Sequence, residues 1–287
     1  LIHAHCAVYG GIIAQYISGK LNIPYIITEH QHFIFDYFSD HTFRLSKAAL
    51  EGAAKVLSVS RFQSRMILMN GVACDPVVIG NFVDEAIFRP GTDKPNNIFR
   101  ILTIGFHTHL KDMKTFFRSL GVLNKLGLKN FQAVIISPKY NGAYIDYKQY
   151  AKDLGVQHQC LFIEELEREK IVELFQECDV FVSTAIAETF GVSVAEALMC
   201  GKPVVVTDSG GINDFVTDGI NGFIADVRDH KSIARNILRV HGGELTQTHH
   251  DIRAAVVEKY GREAFLNKLS EAYYSLLTKK TLTANTV

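Results

Sequence analysis

Glu188 and Glu196 stand with seven residues between them in Ala187–Pro203 (AETFGVSVAEALMCGKP), and with Lys111 and His30 they are the side chains best suited to chemistry. The short apolar run Asp179–Thr184 reads as a strand entering a loop, and a helix is expected to open near Phe190 and Gly191. Gly201 then ends the helix and Pro203 blocks its continuation. The opening amides of a helix have no partner of their own and attract phosphate, and a glycine there lets a ligand come close to the backbone. Glu188 falls just before that opening, and Glu196 falls about five residues inside it, roughly 7.5 Å further along the axis. Eight positions at about 100° each leave the two carboxylates about 80° apart, so they are not a tight acid/base pair. They suit different parts of one extended ligand.

Taken singly, each residue has an ordinary reading. A glutamate at a helix start is a dipole partner, worth up to ~1 kcal/mol. Lys111 alone would be a surface charge, His30 a satisfied core histidine, and Gly210-Gly211 a turn. His3-Ala4-His5 looks like a metal pair, but its histidines are expected on opposite faces of a strand, so no metal is assigned.

The elements that must position these groups are short β-branched runs alternating with amphipathic stretches. Strands are expected at Tyr25–Thr28, Lys55–Val59, Val77–Asn81, Arg100–Gly105, Phe131–Ser137, Asp179–Thr184, Pro203–Thr207 and Gly222–Ala225, with Leu1–His5 as the end of another. Helices are expected at Tyr9–Lys20, Arg61–Asn70, Met113–Leu126, Arg168–Glu177 and Gly191–Cys200, and from about Asp251 to Lys279. Such alternation implies right-handed crossovers and parallel sheets. The fold class is α/β: two Rossmann-like, doubly wound domains facing a cleft, the first lacking its opening strands. Residues 1–89 are expected to form the incomplete acceptor-side domain and 90–260 the nucleotide-binding domain. Residues 261–287 are expected to be a helix packing back toward the first domain, with a frayed tail. The apolar-free stretch Arg89–Asn97, with two of the six prolines, is the linker. Ligands in such sheets sit beyond the carboxyl ends of the strands, which directs attention to the loops after Thr28, Gly105, Thr184 and Thr207.

Composition narrows the classes. Hydrophobic residues make up 47% of the 287 positions, enough for packed cores, and thirty basic residues balance thirty acidic ones, so no field of one sign recommends nucleic acid. The five cysteines are scattered, odd in number and never form CxxC, which suits free thiols in a reducing compartment. No apolar run approaches the roughly 20 residues that span a bilayer.

The pattern E-x-F-G-x-x-x-x-E-A-x-x-x-G-x-P-V-V from Glu188 onward resembles the motif of the family-four, or group 1, retaining glycosyltransferases with the GT-B fold. His3-Ala4-His5 with Gly10-Gly11, Pro24–His30 (PYIITEH), Asn81–Pro90 (NFVDEAIFRP), Gly210-Gly211 and Asn221-Gly222 extend the resemblance over nearly the whole chain. It implies that Glu196 takes the ribose hydroxyls of a nucleotide. Glu188 would take hydroxyls of the donor sugar beside Thr189, Phe190, Gly191 and Val192, with Lys111 on the diphosphate and His30 near the transferred sugar. It implies a nucleotide-diphosphate sugar as donor, no cofactor or metal, and a glycan or lipid-linked acceptor. The expected location is cytoplasmic, with peripheral contact at the inner membrane face by analogy. Phe106 departs from the pattern where the family often has arginine, and Ser137-Pro138-Lys139-Tyr140 replaces a glycine-rich turn. Phe106, with the missing front, motivates an alternative: a nucleotide-sugar-binding protein without transfer activity. An NAD-dependent enzyme is disfavoured because no GxGxxG follows any predicted strand.

Overall fold

The structure, a computed structural model, describes residues 1–32, 39–92, 97–105, 108–137, 145–164 and 166–284, with side chains to residue 276. Phe106, His107 and residues 138–140 lie outside the described residues, as do 93–96 of the expected linker. The chain divides into two compact units, Leu1–Phe82 with Arg262–Val287, and Val83–Gly261.

The first unit opens with β1 (Ile2–His5), α1 (Ile12–Leu21), β2 (Tyr25–Glu29), α2 (Asp40–Glu51), β3 (Lys55–Ser58), α3 (Arg61–Met69) and β4 (Pro76–Val78). The strands pair in parallel in the order β1-β2-β3-β4. Every residue of β2 is buried, as a central parallel strand covered on both faces must be. Ile27, Val56, Leu50 and Ile67 pack on one face. Ser39 and Ser60 cap α2 and α3 by accepting the Thr42 and Gln63 amides, which supplies two helix starts with oxygen acceptors. The segment Tyr9–Gly11, expected to be helical, is instead a sharp turn with Tyr9 at φ 63° and ψ −68°. Gly10 permits it, since a Cβ there would lie 2.4 Å from the His5 carbonyl oxygen.

The second unit runs β5 (Phe99–Ile104), α4 (Met113–Lys125), β6 (Phe131–Ile136), α5 (Tyr147–Asp153), β7 (Cys160–Ile163), α6 (Arg168–Glu177), β8 (Val180–Ser183), α7 (Val192–Met199), β9 (Val204–Thr207), β10 (Gly222–Ala225), α8 (His230–His241) and α9 (His249–Tyr260). Its six strands are parallel in the order β10-β9-β8-β5-β6-β7. Strand order therefore reverses between β5 and β8, the switch point at which a doubly wound sheet leaves a crevice. Ile101, Phe116, Phe117, Leu120, Ile135, Val182 and Ile237 belong to one buried core beneath α4 and α8.

The last helix, α10 (Arg262–Ala284), returns to the first unit. There Ala272, Phe265, Leu269, Tyr273 and Leu276 cover the second face of its sheet at Ile26, Leu57 and Ile79. A single helix from Asp251 to Lys279 was the expectation; Gly261 breaks it, with φ −67° and ψ 171°. A Cβ there would stand 2.6 Å from the Val257 carbonyl oxygen. Among the described residues no helix is long and apolar enough to cross a membrane.

Candidate active site

The loops that leave β5 and β8 are stitched together where the strand order reverses. The Ile186 amide donates to the Leu110 carbonyl at 2.7 Å. The Thr184 hydroxyl, at the end of β8, lies 3.2 Å from the Lys111 carbonyl and 3.1 Å from that of Asp112. Asp112 turns the chain into α4 with a left-handed backbone, φ 39° and ψ 50°, a conformation that aspartate tolerates better than most residues. The Thr207 hydroxyl, from the end of β9, donates to the Ala185 carbonyl and ties in a third loop. Thr184, Asp112 and Thr207 are positioning groups that the sequence reading passes over. Their signal is a hydroxyl or a turn-former at the carboxyl end of a buried strand.

This frame brings Lys111 and Glu188 together. The Lys111 Nζ donates to a Glu188 carboxylate oxygen, and the two side chains keep only 26% and 13% of their exposure. Glu188 is fixed on both sides of its peptide: its amide donates to the Ser209 carbonyl and its carbonyl accepts from the Gly211 amide, each at 2.8 Å. Gly210-Gly211 is thus more than a turn. Gly210 bridges Glu188 like a short parallel strand, and Gly211 sits where a Cβ would be 2.1 Å from the Thr189 carbonyl oxygen.

The expected helix does open here, at Val192, with Gly191 as its left-handed cap at φ 93°. A Cβ on Gly191 would meet the Ile212 side chain at 2.5 Å, so both the turn and the packing demand glycine. Thr189 is half-buried and Val192 exposed, flanking the helix opening. The Phe190 ring points the other way, into the core. It lies 5.0 Å from the ring of Phe215 and 5.1 Å from that of Tyr260, so only its backbone is available to a ligand. Glu196 sits further along α7, half-buried, and burial pushes its carboxyl up to about 7, against the opposing charge of Arg168. The far end of α7 is held by Arg253, whose guanidinium donates to the carbonyls of Met199, Phe88 and Glu85.

His30 belongs to the first unit, at the end of β2. Its Nε2 lies 2.9 Å from His5 Nδ1, and the two rings stack at 5.1 Å. Burial, then the neighbouring His5, lowers its pKa, while Asn81 acts in the opposite sense. The expectation that His3 and His5 face opposite ways is wrong: residues two apart on a strand share a face, and these rings stack at 4.7 Å. Both His3 nitrogens are engaged, by the Tyr273 hydroxyl and the Thr28 hydroxyl at 2.7 Å each, and burial pulls its pKa down to about 4. Among the described residues no group of three or more acidic, cysteine or histidine side chains is arranged to hold a metal ion. Beneath His30 lies Glu29, 1% exposed. Its carboxylate accepts the Ala7 amide at 2.7 Å and the His30 and Gln31 amides at 2.9 Å each, joining the two loops around the histidines. Burial raises its pKa despite these donors.

Comparison with known proteins follows the same division. The family model described as glycosyl transferases group 1 matches residues 84–262, and that described as glycosyltransferase family 4 matches residues 1–87. An uncharacterized glycosyltransferase of Methanocaldococcus jannaschii is 25% identical over 255 residues, covering 86% of this chain and 67% of its own length. Among solved structures, sucrose-phosphate synthase from Thermosynechococcus elongatus superposes with a TM-score of 0.85 at 18% identity, over 97% of this chain and 74% of that one. Anabaena HepE in complex with UDP-glucose gives 0.82 at 19% identity, over 93% and 76%. The likeness establishes the GT-B fold expected from the sequence.

Proposed function

Because the chain belongs to the group 1 glycosyltransferases, we propose that it acts as a retaining enzyme that moves a sugar from a nucleotide-diphosphate donor to a glycan or lipid-linked acceptor. The observation that carries this reading is the convergence of Lys111 and Glu188 at the strand switch point, beside the opening of α7. Lys111 and the first amides of α7 take the charge of the departing diphosphate, and preorganised stabilisation of this kind commonly contributes more to catalysis than any other effect. Glu188 accepts hydroxyls of the sugar, and Glu196, as carboxylate, accepts those of the ribose. As the bond from sugar carbon to phosphate oxygen breaks, the acceptor oxygen bonds to that carbon on the same face, and its proton passes to the departing phosphate. His30 is assigned to the transferred sugar. No step in this scheme is assigned to a metal. The setting is cytoplasmic, with the acceptor met at the inner membrane face.

The test is a transfer assay on the intact protein with UDP-, GDP- and ADP-sugars, UDP-glucose first because a structural neighbour was captured with it. Transfer with retained anomeric configuration, lost in Glu196→Ala together with donor binding, is the expected result. A Glu196→Ala protein that binds and transfers like the parent refutes the reading.

A further inference from the structure

Resting on the assignment of Lys111 to the diphosphate and Glu188 to the sugar, we infer that the Lys111–Glu188 ion pair is an internal competitor of the donor. It closes when the site is empty, opens for a ligand that carries both a diphosphate and a sugar, and closes again to expel the nucleoside diphosphate product.

The pair is set by the fold. The Lys111 turn is tied to the loop after β8 through Leu110, Lys111 and Asp112, and Glu188 is held by Ser209 and Gly211 on both sides. Two side chains on so fixed a frame meet whenever nothing else occupies them. With the Glu188 carboxylate at 13% exposure and the lysine at 26%, each is partly withdrawn from water and pairs with the other among the described residues. Partial withdrawal raises the cost of leaving either charge alone above that at an open surface.

Each possible ligand then meets a different exchange. A whole donor gives Lys111 the phosphate oxygens and gives Glu188 the sugar hydroxyls, so both charges leave with new partners. A nucleoside diphosphate without its sugar can take Lys111 but offers no donor to Glu188, and it leaves a largely buried carboxylate without the lysine that had paired it. Lone product is therefore bound at a disadvantage that the intact donor never meets. Once the sugar has gone to the acceptor, re-formation of the ion pair pushes the product out. The sugar contributes twice, through its own contacts and by releasing lysine to the diphosphate.

Calorimetric titration of the intact protein with UDP and with UDP-glucose tests this, with GDP and GDP-mannose as a second pair. Glu188→Gln is expected to bind the bare diphosphate about three- to tenfold more tightly than the parent, the range set by a partly exposed ion pair, and to bind the sugar nucleotide more weakly. In a Lys111→Met background the gain is expected to vanish, because no lysine is left to release. Glu188→Ala, with melting checked beside the parent, serves as the second variant and should shift both affinities in the same directions. Unchanged or weaker binding of the bare diphosphate by both Glu188 variants overturns the inference. So does a gain that survives Lys111→Met, which would mean plain repulsion by the carboxylate. If the parent protein binds none of these nucleotides, the donor assignment itself fails and this inference with it.

Discussion

Adding one methyl group at Gly211 should cost both stability and donor binding, and the geometry says why. A Cβ there would stand 2.1 Å from the Thr189 carbonyl oxygen, 2.4 Å from its carbon and 2.7 Å from the Phe190 nitrogen. Reaching ordinary contact at 3.4 Å requires about 1.3 Å of movement, and all three obstacles are backbone, with no flexible side-chain end to yield. That peptide joins Glu188 to the cap of α7, so the strain falls on the segment assigned to the donor. Overpacking typically costs about 1–3 kcal/mol, and a clash with backbone belongs at the upper end. For the 83–261 unit about 3 kcal/mol should lower Tm by roughly 6–12 °C. A displacement near 1 Å in a positioning segment can cost on the order of 100-fold in activity. Differential scanning fluorimetry, calorimetric titration of UDP-glucose and a transfer assay measure stability, binding and activity in turn. Gly121→Ala is the control: it lies within α4, nothing stands within 4 Å of its Cβ, and the change should stabilise by about 0.5–1 kcal/mol. A Gly211→Ala protein that melts and binds donor like the parent would refute the packing argument.

Glu196 gives a pH dependence with opposite signs for folding and binding. Its native pKa of about 7 exceeds the ordinary 4.5, so between those values the unfolded chain has already lost a proton that the native one keeps. Its contribution to stability therefore falls as pH rises through that window, while donor affinity through the ribose rises toward and past pH 7. Glu196→Gln should flatten both profiles in parallel melting and titration series; unaltered profiles would remove Glu196 from this role. Glu29→Ala should leave the Ala7, His30 and Gln31 amides without their acceptor, costing about 3 kcal/mol, visible as a lower chemical-denaturation midpoint. A shift below about 0.5 kcal/mol would mean that water replaces the carboxylate freely.

The motif around α7 was readable because its punctuation is local: Gly191 must turn, Gly201 must end the helix and Pro203 must start the next run. The parallel α/β class followed from alternation for the same reason. What stayed hidden depended on neighbours distant in sequence. Lys111 and Glu188 are 77 residues apart, and only the β5–β8 pairing makes them partners. Glu29 looks in sequence like a polar residue beside a histidine, and its role as acceptor for two loops appears only once β1 and β2 pair. The break at Gly261 was legible in principle, since a glycine within a long helical stretch lowers helix stability. The shared face of His3 and His5 was also legible, from the period of two, and was misassigned.

The inward ring of Phe190 bears on how this scaffold could diversify. Among motif residues it is the one whose identity is owed to Phe215 and Tyr260, so a mutation there is felt in folding before any ligand is consulted. Freedom to alter what the pocket accepts should lie instead at nearby half-buried Thr189 and exposed Val192, whose side chains carry little of the core. A library aimed at new donors would do well to vary those two positions and leave the aromatic between them untouched.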